Sequence, residues 1–278
     1  MTPAADCSSA LQVLRRDALR AAFWTALPLI AAAAAIALAF RFDRRFVAEA
    51  ITVFALASFF MLRQLPSHLP HRRFGIGNRV TLGRLALIAL LAGGVGNAQW
   101  SDAVAWSAVV LASVTALLDA ADGPLARGDG LASDFGARFD MESDALLILV
   151  LSALVWQADK AGAWVLAAGL MRYAFVGAAA LWPWLARPLA PSLRRKTVCV
   201  LQIVGLIVCL MPTVAPWLSQ AIAALTLAAL TASFAADVLR LARVAGAAGA
   251  RGIDPASPTE TTTRAVDRVR SRSQARTL

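Results

Sequence analysis

Seven acidic residues of a strongly apolar chain fall within one stretch: Asp119, Asp122, Asp129, Asp134, Asp140, Glu142 and Asp144. Asp119 and Asp122 are three residues apart, and Asp140 and Asp144 are four apart. On helices each pair shares a face, so two helices meeting here bring four carboxylates together. Carboxylates left unneutralised beside apolar surroundings repel one another and lose hydration. Divalent cations remove that cost. An all-oxygen ligand set favours Mg²⁺ or Mn²⁺ (or Ca²⁺) over zinc. Two such ions can share four aspartates and clamp a phosphate-bearing substrate. Arg127 offers a fork of donors to a phosphate oxygen. Gly123, Ala126 and Gly136 are small where a ligand must approach the backbone. Asp129 and Asp134 are read more simply as solvated turn residues, and Glu142 as a bystander.

These residues must be held by membrane helices. The 278 residues are 59% hydrophobic and 16% charged, with a mean hydropathy of +0.65, too apolar for an ordinary soluble domain. Eight apolar runs approach the roughly 20 residues of a span. They cover 21–40, 46–62, 80–95, 103–118, 145–155, 163–185, 198–211 and 217–239. Several are short and must borrow flanking residues. Richness in Ala and Leu, with no alternating strand pattern, predicts an all-α polytopic bundle.

The formal charge of +10 does not point to nucleic acid, because the basic residues sit at the ends of apolar runs and in the tail. With both termini and the acidic stretch in the cytoplasm, 22 of the 27 Lys and Arg residues are inside. Arg41, Arg44, Arg45 and Lys160 fall outside. A first helix pair that dips or lies flat removes the conflict at Arg41–Arg45. Residues 1–20 read as a basic amphipathic N-terminus, 21–63 as an N-terminal helix pair, 64–244 as the membrane domain and 245–278 as a disordered basic tail near anionic headgroups. Cys7, Cys199 and Cys209 show neither metal spacing nor a disulfide pattern. His68 and His71 are the only histidines, too few for a histidine-based site. No cleavable signal peptide is evident.

The pattern Asp119-x2-Asp122-Gly123-x2-Ala126-Arg127-x8-Gly136-x3-Asp140-x3-Asp144 resembles the signature of the CDP-alcohol phosphotransferase family. All eight fixed positions are present. The resemblance covers about residue 78 to the end of the last apolar run, and implies a six-helix core preceded here by two additional apolar helices. It implies a divalent-metal-dependent transferase of phospholipid synthesis in a bacterial plasma (inner) membrane. Such an enzyme displaces CMP from a CDP-linked donor, CDP-diacylglycerol or another CDP-alcohol, by attack of a polar alcohol. By similarity, Asp119, Asp122, Asp140 and Asp144 bind metal, two Mg²⁺ or Mn²⁺ ions, and Asp144 also acts as general base. Gly123, Ala126, Arg127, Ser133 and Gly136 would line the cytidine-diphosphate pocket. "GIGNRVTLGRLAL" is similar to the family's entry to its first core helix, so Asn78 and Thr81 would contact the nucleotide from the opposite wall. Without that similarity the same residues read as a helix N-cap, and Arg84 divides evenly between an interfacial arginine and a site residue. The family often dimerises through its core helices.

The acceptor side is carried by basic residues. Arg172 lies inside an apolar run, where an arginine is either a site residue or a snorkelling one. Arg194, Arg195 and Lys196 stand at the mouth of the next run, as a positive-inside cluster or a phosphate site. Together they favour a phosphorylated acceptor. Two other readings compete. One is a CDP-amino alcohol donor with diacylglycerol as acceptor. The other, from a different class, is a cation transporter, which predicts acids deep within the spans rather than clustered at helix ends beside Arg127.

Overall fold

A computed structural model describes residues 3–69, 71, 73–97, 100–128, 133–187 and 192–250, without the side chains of 3–8, 120–128 and 246–250. All eight apolar runs are helical. The helices are α1 (Pro3–Phe40), α2 (Arg44–Gln64), α3 (Ile76–Gly93), α4 (Asp102–Gly128), α5 (Asp134–Gln157), α6 (Leu166–Leu181), α7 (Leu193–Leu210) and α8 (Pro216–Ala250). Short 3-10 turns cover Leu65–His68, Ala163–Val165 and Pro183–Ala186. No strand occurs among the described residues.

Six segments among the described residues are long and apolar enough to cross a membrane: Ser9–Phe40, Arg44–His68, Ile76–Gly93, Asp102–Asp119, Ala163–Leu181 and Pro216–Ala245. The chain is an integral membrane protein. The other two helices, α5 and α7, carry their charges at the N-terminal end, Asp134 to Asp144 on α5 and Arg194 to Lys196 on α7. Their apolar parts are correspondingly short.

The described chain divides into two units. The first holds residues 1–176 and 191–233. In it, α1 and α2 form a hairpin. The turn uses Arg41 at φ 55°, and Phe42 N–H donates to the Ala37 carbonyl at 2.9 Å. "RFDRRF" is thus the tip of a helical hairpin, and its Arg45 pairs with Glu49 one turn on at 2.5 Å. Helix α1 runs without a break from the N-terminal stretch into the first apolar run. Phe40, Phe42 and Phe46 stack in sequence, with centroids 5.8 and 5.1 Å apart. At Gly93 a Cβ would lie 2.7 Å from the Phe46 carbonyl oxygen, so glycine lets α2 and α3 approach closely.

Helix α3 is the central element of this unit. It packs against α1, α2, α4 and α5, while α7 covers α4 and α5. Burial on most sides explains why Leu82, Leu85, Ile88, Ala89 and Leu91 are all shielded. Lys160, read from sequence as an outside charge, is held by the turn that follows α7. Its Nζ donates to the carbonyls of Met211, Pro212 and Val214 at 3.2, 3.4 and 2.5 Å. Just beyond a helix C-terminus, such a cation also faces the negative end of the helix dipole.

The second unit comprises residues 177–190 and 234–278. Its described parts are the last turn of α6, the Pro183–Ala186 turn and the end of α8.

Candidate metal and phosphate site

The acidic motif falls on two successive helices as its spacing predicts. Asp119 lies on α4, and Asp140 and Asp144 lie one turn apart near the start of α5. One carboxylate oxygen from each lies within 4.8 Å of the others. Asp122, Gly123, Ala126 and Arg127 continue α4, but their side chains lie outside the described residues. Asp129 lies wholly outside them.

What gathers the three carboxylates is Arg84, from the middle of α3. Its side chain is fully shielded, at 0% exposure. One terminal nitrogen is 2.7 Å from Asp119 Oδ1 and 2.5 Å from Asp140 Oδ1. The other is 2.6 Å from Asp144 Oδ1. A planar guanidinium suits this work, because its fork can address two carboxylates at fixed angles. The sequence reading divided evenly over Arg84, and the structure makes it the hub of the cluster. One buried guanidinium among three partly shielded carboxylates leaves a net charge of −2. Removing such charges from water is costly unless they are compensated. A divalent cation would balance the excess, and the all-oxygen donors are those that Mg²⁺ and Mn²⁺ prefer.

The N-terminal end of α5 is fixed by a cap. Ser133 has an extended backbone, and its Oγ accepts the Gly136 N–H at 3.2 Å. This serine was singled out for the nucleotide pocket. Its hydroxyl also meets His68 Nδ1 at 2.6 Å. Asn78, from the first turn of α3, is buried and donates through Nδ2 to the Phe74 carbonyl. Its Oδ1 points at Gly136, where an added Cβ would lie only 2.9 Å away. The structure therefore brings Asn78 of α3 into close contact with Ser133 and Gly136 at the start of α5. Thr81 is buried on the same helix, and its hydroxyl donates to the Gly77 carbonyl at 3.1 Å. Gly136→Ala is expected to force Asn78 aside. Overpacking of this kind costs about 1–3 kcal/mol. Thermal unfolding in detergent should show a midpoint lowered by several degrees, and an unchanged midpoint would contradict the close approach.

The basic residues separate into different roles. Arg172 on α6 pairs with Glu142 on α5 at 2.5 Å, which gives Glu142 a partner that the sequence did not suggest. The buried Nε of Arg172 has no hydrogen-bond partner among the described residues. Arg194 donates to the carbonyl and hydroxyl oxygens of Ser233 at 2.7 and 2.8 Å. Lys196 and Cys199, three residues apart on α7, are both close enough to the acidic cluster to feel its charge. That helix face therefore borders the site. His68 was passed over in the sequence; only its place just before the core helix, invisible as chemistry, could have flagged it.

The family model for CDP-alcohol phosphatidyltransferase matches residues 74–233, which include every aspartate of the motif. No curated protein and no solved structure matches the chain.

Proposed function

The chain belongs to the CDP-alcohol phosphatidyltransferase family, and from that membership we propose that it transfers a phosphatidyl group from CDP-diacylglycerol to a polar, phosphorylated alcohol. The observation that carries the reading is the convergence of Asp119, Asp140 and Asp144 on one buried arginine. Carboxylates so concentrated suit a cation-assisted reaction at a diphosphate.

The acceptor hydroxyl oxygen attacks the phosphorus that carries diacylglycerol. A new P–O bond forms, and the bond to the CMP phosphate breaks with its electron pair leaving on CMP. Asp144 takes the acceptor proton, a step available to a carboxylate held close to the hydroxyl. Asp119, Asp122 and Asp140, with Asp144, would hold two divalent ions, which when bound neutralise the diphosphate and the departing CMP. Asn78, Thr81, Ser133 and Gly136 face the cytidine diphosphate, and Gly123, Ala126 and Arg127 complete that pocket. Both termini and the site lie on the cytoplasmic side of a bacterial plasma membrane. The working form is a homodimer.

Purified protein with Mg²⁺ or Mn²⁺ should release CMP from CDP-diacylglycerol only when an acceptor is added. Glycerol phosphate, inositol phosphate, serine and phosphatidylglycerol form the screening set. Cation flux in liposomes without CMP release would favour a transporter instead.

The basic residues beside the site support a phosphorylated acceptor. Lys196 on α7 lies near enough to Asp119 to act on its charge, Arg172 on α6 is tied to α5 through Glu142, and Arg194 and Arg195 open the same helix as Lys196. A hydrogen bond to a charged group contributes about 1.5–3 kcal/mol. Arg172→Ala and Lys196→Ala should each raise the acceptor KM by roughly 10-fold or more on that basis. The donor KM should stay near the wild-type value. Unchanged acceptor KM in both variants sinks the phosphate site.

A further inference from the structure

We infer that the chain preceding the family match positions both nucleotide-facing walls by gripping a single peptide group, the one joining Arg73 to Phe74. The inference rests on the reading of Asn78, Ser133 and Gly136 as donor-facing residues. Two side chains make the grip, and neither lies within the matched residues 74–233. Asp17, on α1, accepts the Phe74 N–H on Oδ2 at 2.9 Å. His68, at the end of the 3-10 turn after α2, meets the Arg73 carbonyl oxygen with Nε2 at 3.0 Å. The peptide plane is thus held at its N–H by one residue and at its C=O by the other.

The direction of each bond follows from chemistry. A carbonyl oxygen only accepts, so in the neutral ring Nε2 carries the proton and Nδ1 is the acceptor. Ser133 therefore donates its hydroxyl hydrogen to Nδ1 across 2.6 Å, while its oxygen accepts the Gly136 N–H. On the other side, the Phe74 carbonyl accepts from Asn78 Nδ2. Asn78 Oδ1 in turn abuts Gly136. The contacts close into a ring: the Arg73–Phe74 peptide, His68, Ser133, Gly136, Asn78 and back to Phe74.

A buried peptide group needs partners, and backbone or water can supply them. Here the partners are side chains whose own positions are fixed. Asp17 Oδ1 also accepts from the Arg79 guanidinium at 2.8 Å. The His68 residue is 0% exposed, and its ring packs against those of His71 and Phe135, with centroids at 5.1 and 5.3 Å. Neither rotation of the imidazole nor a shift of the peptide is possible without disturbing Ser133 or Asn78. His68 and Asp17 are positioning residues. They touch no substrate, and they act through the two walls that do.

The test uses the full-length purified chain. His68→Ala should raise the KM for CDP-diacylglycerol about 10-fold, the size of one lost buried hydrogen bond. Its kcat and acceptor KM should stay within about twofold. In His68→Asn the side-chain oxygen can stand near the place of Nδ1 and accept from Ser133, so this variant should recover most of the donor affinity. Asp17→Ala should raise the donor KM as well, and its effect combined with His68→Ala should be less than additive, since both act on one peptide. Amide exchange in segments 73–80 and 133–140 should speed up in His68→Ala, with the middle of α3 unchanged. A wild-type donor KM in His68→Ala, or no recovery in His68→Asn, overturns the inference. So does exchange that is unchanged or faster everywhere. If wild-type protein releases no CMP from any CDP-alcohol, the functional reading fails and the donor role with it. The local exchange pattern then decides separately whether the grip exists.

Discussion

Asp144→Asn should reduce CMP release by about 10³-fold or more while leaving the protein folded. General-base catalysis alone contributes about 10²- to 10⁴-fold. Asparagine has the size of aspartate but neither its charge nor its ability to take a proton. The variant keeps an oxygen that can accept from Arg84, now bonded to Asp144 at 2.6 Å. Arg84 also retains Asp119 and Asp140. The helix assembly therefore loses one negative charge from a cluster that holds an excess of them, so the unfolding midpoint should stay near wild type or rise. Asp134→Asn is the control. Asp134 is exposed at the first turn of α5 and stands outside the cluster, so its CMP release should match wild type. Full activity in Asp144→Asn would remove the base and with it the proposed chemistry.

The parts of this site that were legible in the sequence are those encoded within one or two helices. The pairs Asp119/Asp122 and Asp140/Asp144 declare their faces by periodicity alone, and the structure gathers Asp119, Asp140 and Asp144 as that spacing requires. Apolar runs declared eight helices, even the short ones at 145–155 and 198–211, because charged flanking turns extend them. What periodicity cannot say is which face of one helix meets which face of another. Arg84 stayed evenly divided between an interfacial and a site residue because the charge in "TLGRLAL" gives no hint that α3 is enclosed on most sides. Glu142 looked idle because its partner, Arg172, lies 30 residues away on another helix. Lys160 looked like a topological exception until α7 ended against it. His68 was set aside because two histidines are too few for a histidine-based site, yet its role depends on a serine 65 residues away. Each miss is a long-range pairing of polar groups, which leaves no periodic trace.

The same long-range pairing yields the second large effect. Arg84→Met keeps a long, flexible side chain in the centre of α3 and removes the only cation whose contacts bridge Asp119, Asp140 and Asp144 among the described residues. Breaking a buried ion pair by deleting one partner costs about 3–5 kcal/mol, because the charges left behind stay desolvated. The three carboxylates are partly exposed, at 20%, 41% and 19%, so solvent relieves part of that cost. In chelator the unfolding midpoint should fall by roughly 5–10 °C. Added Mg²⁺ should raise it by more in the variant than in wild type, since the ion then neutralises carboxylates with no guanidinium competing for them. Turnover should still drop about 10²-fold, because Arg84 fixes where the Asp144 oxygen stands and a misplaced base is inefficient. Arg84→Lys separates charge from geometry. A single ammonium restores one positive charge but cannot fork between Asp140 and Asp144, so stability should recover further than turnover. Equal recovery of both would mean that only charge matters at the hub. A wild-type midpoint for Arg84→Met in chelator would mean that the three carboxylates do not depend on Arg84 at all.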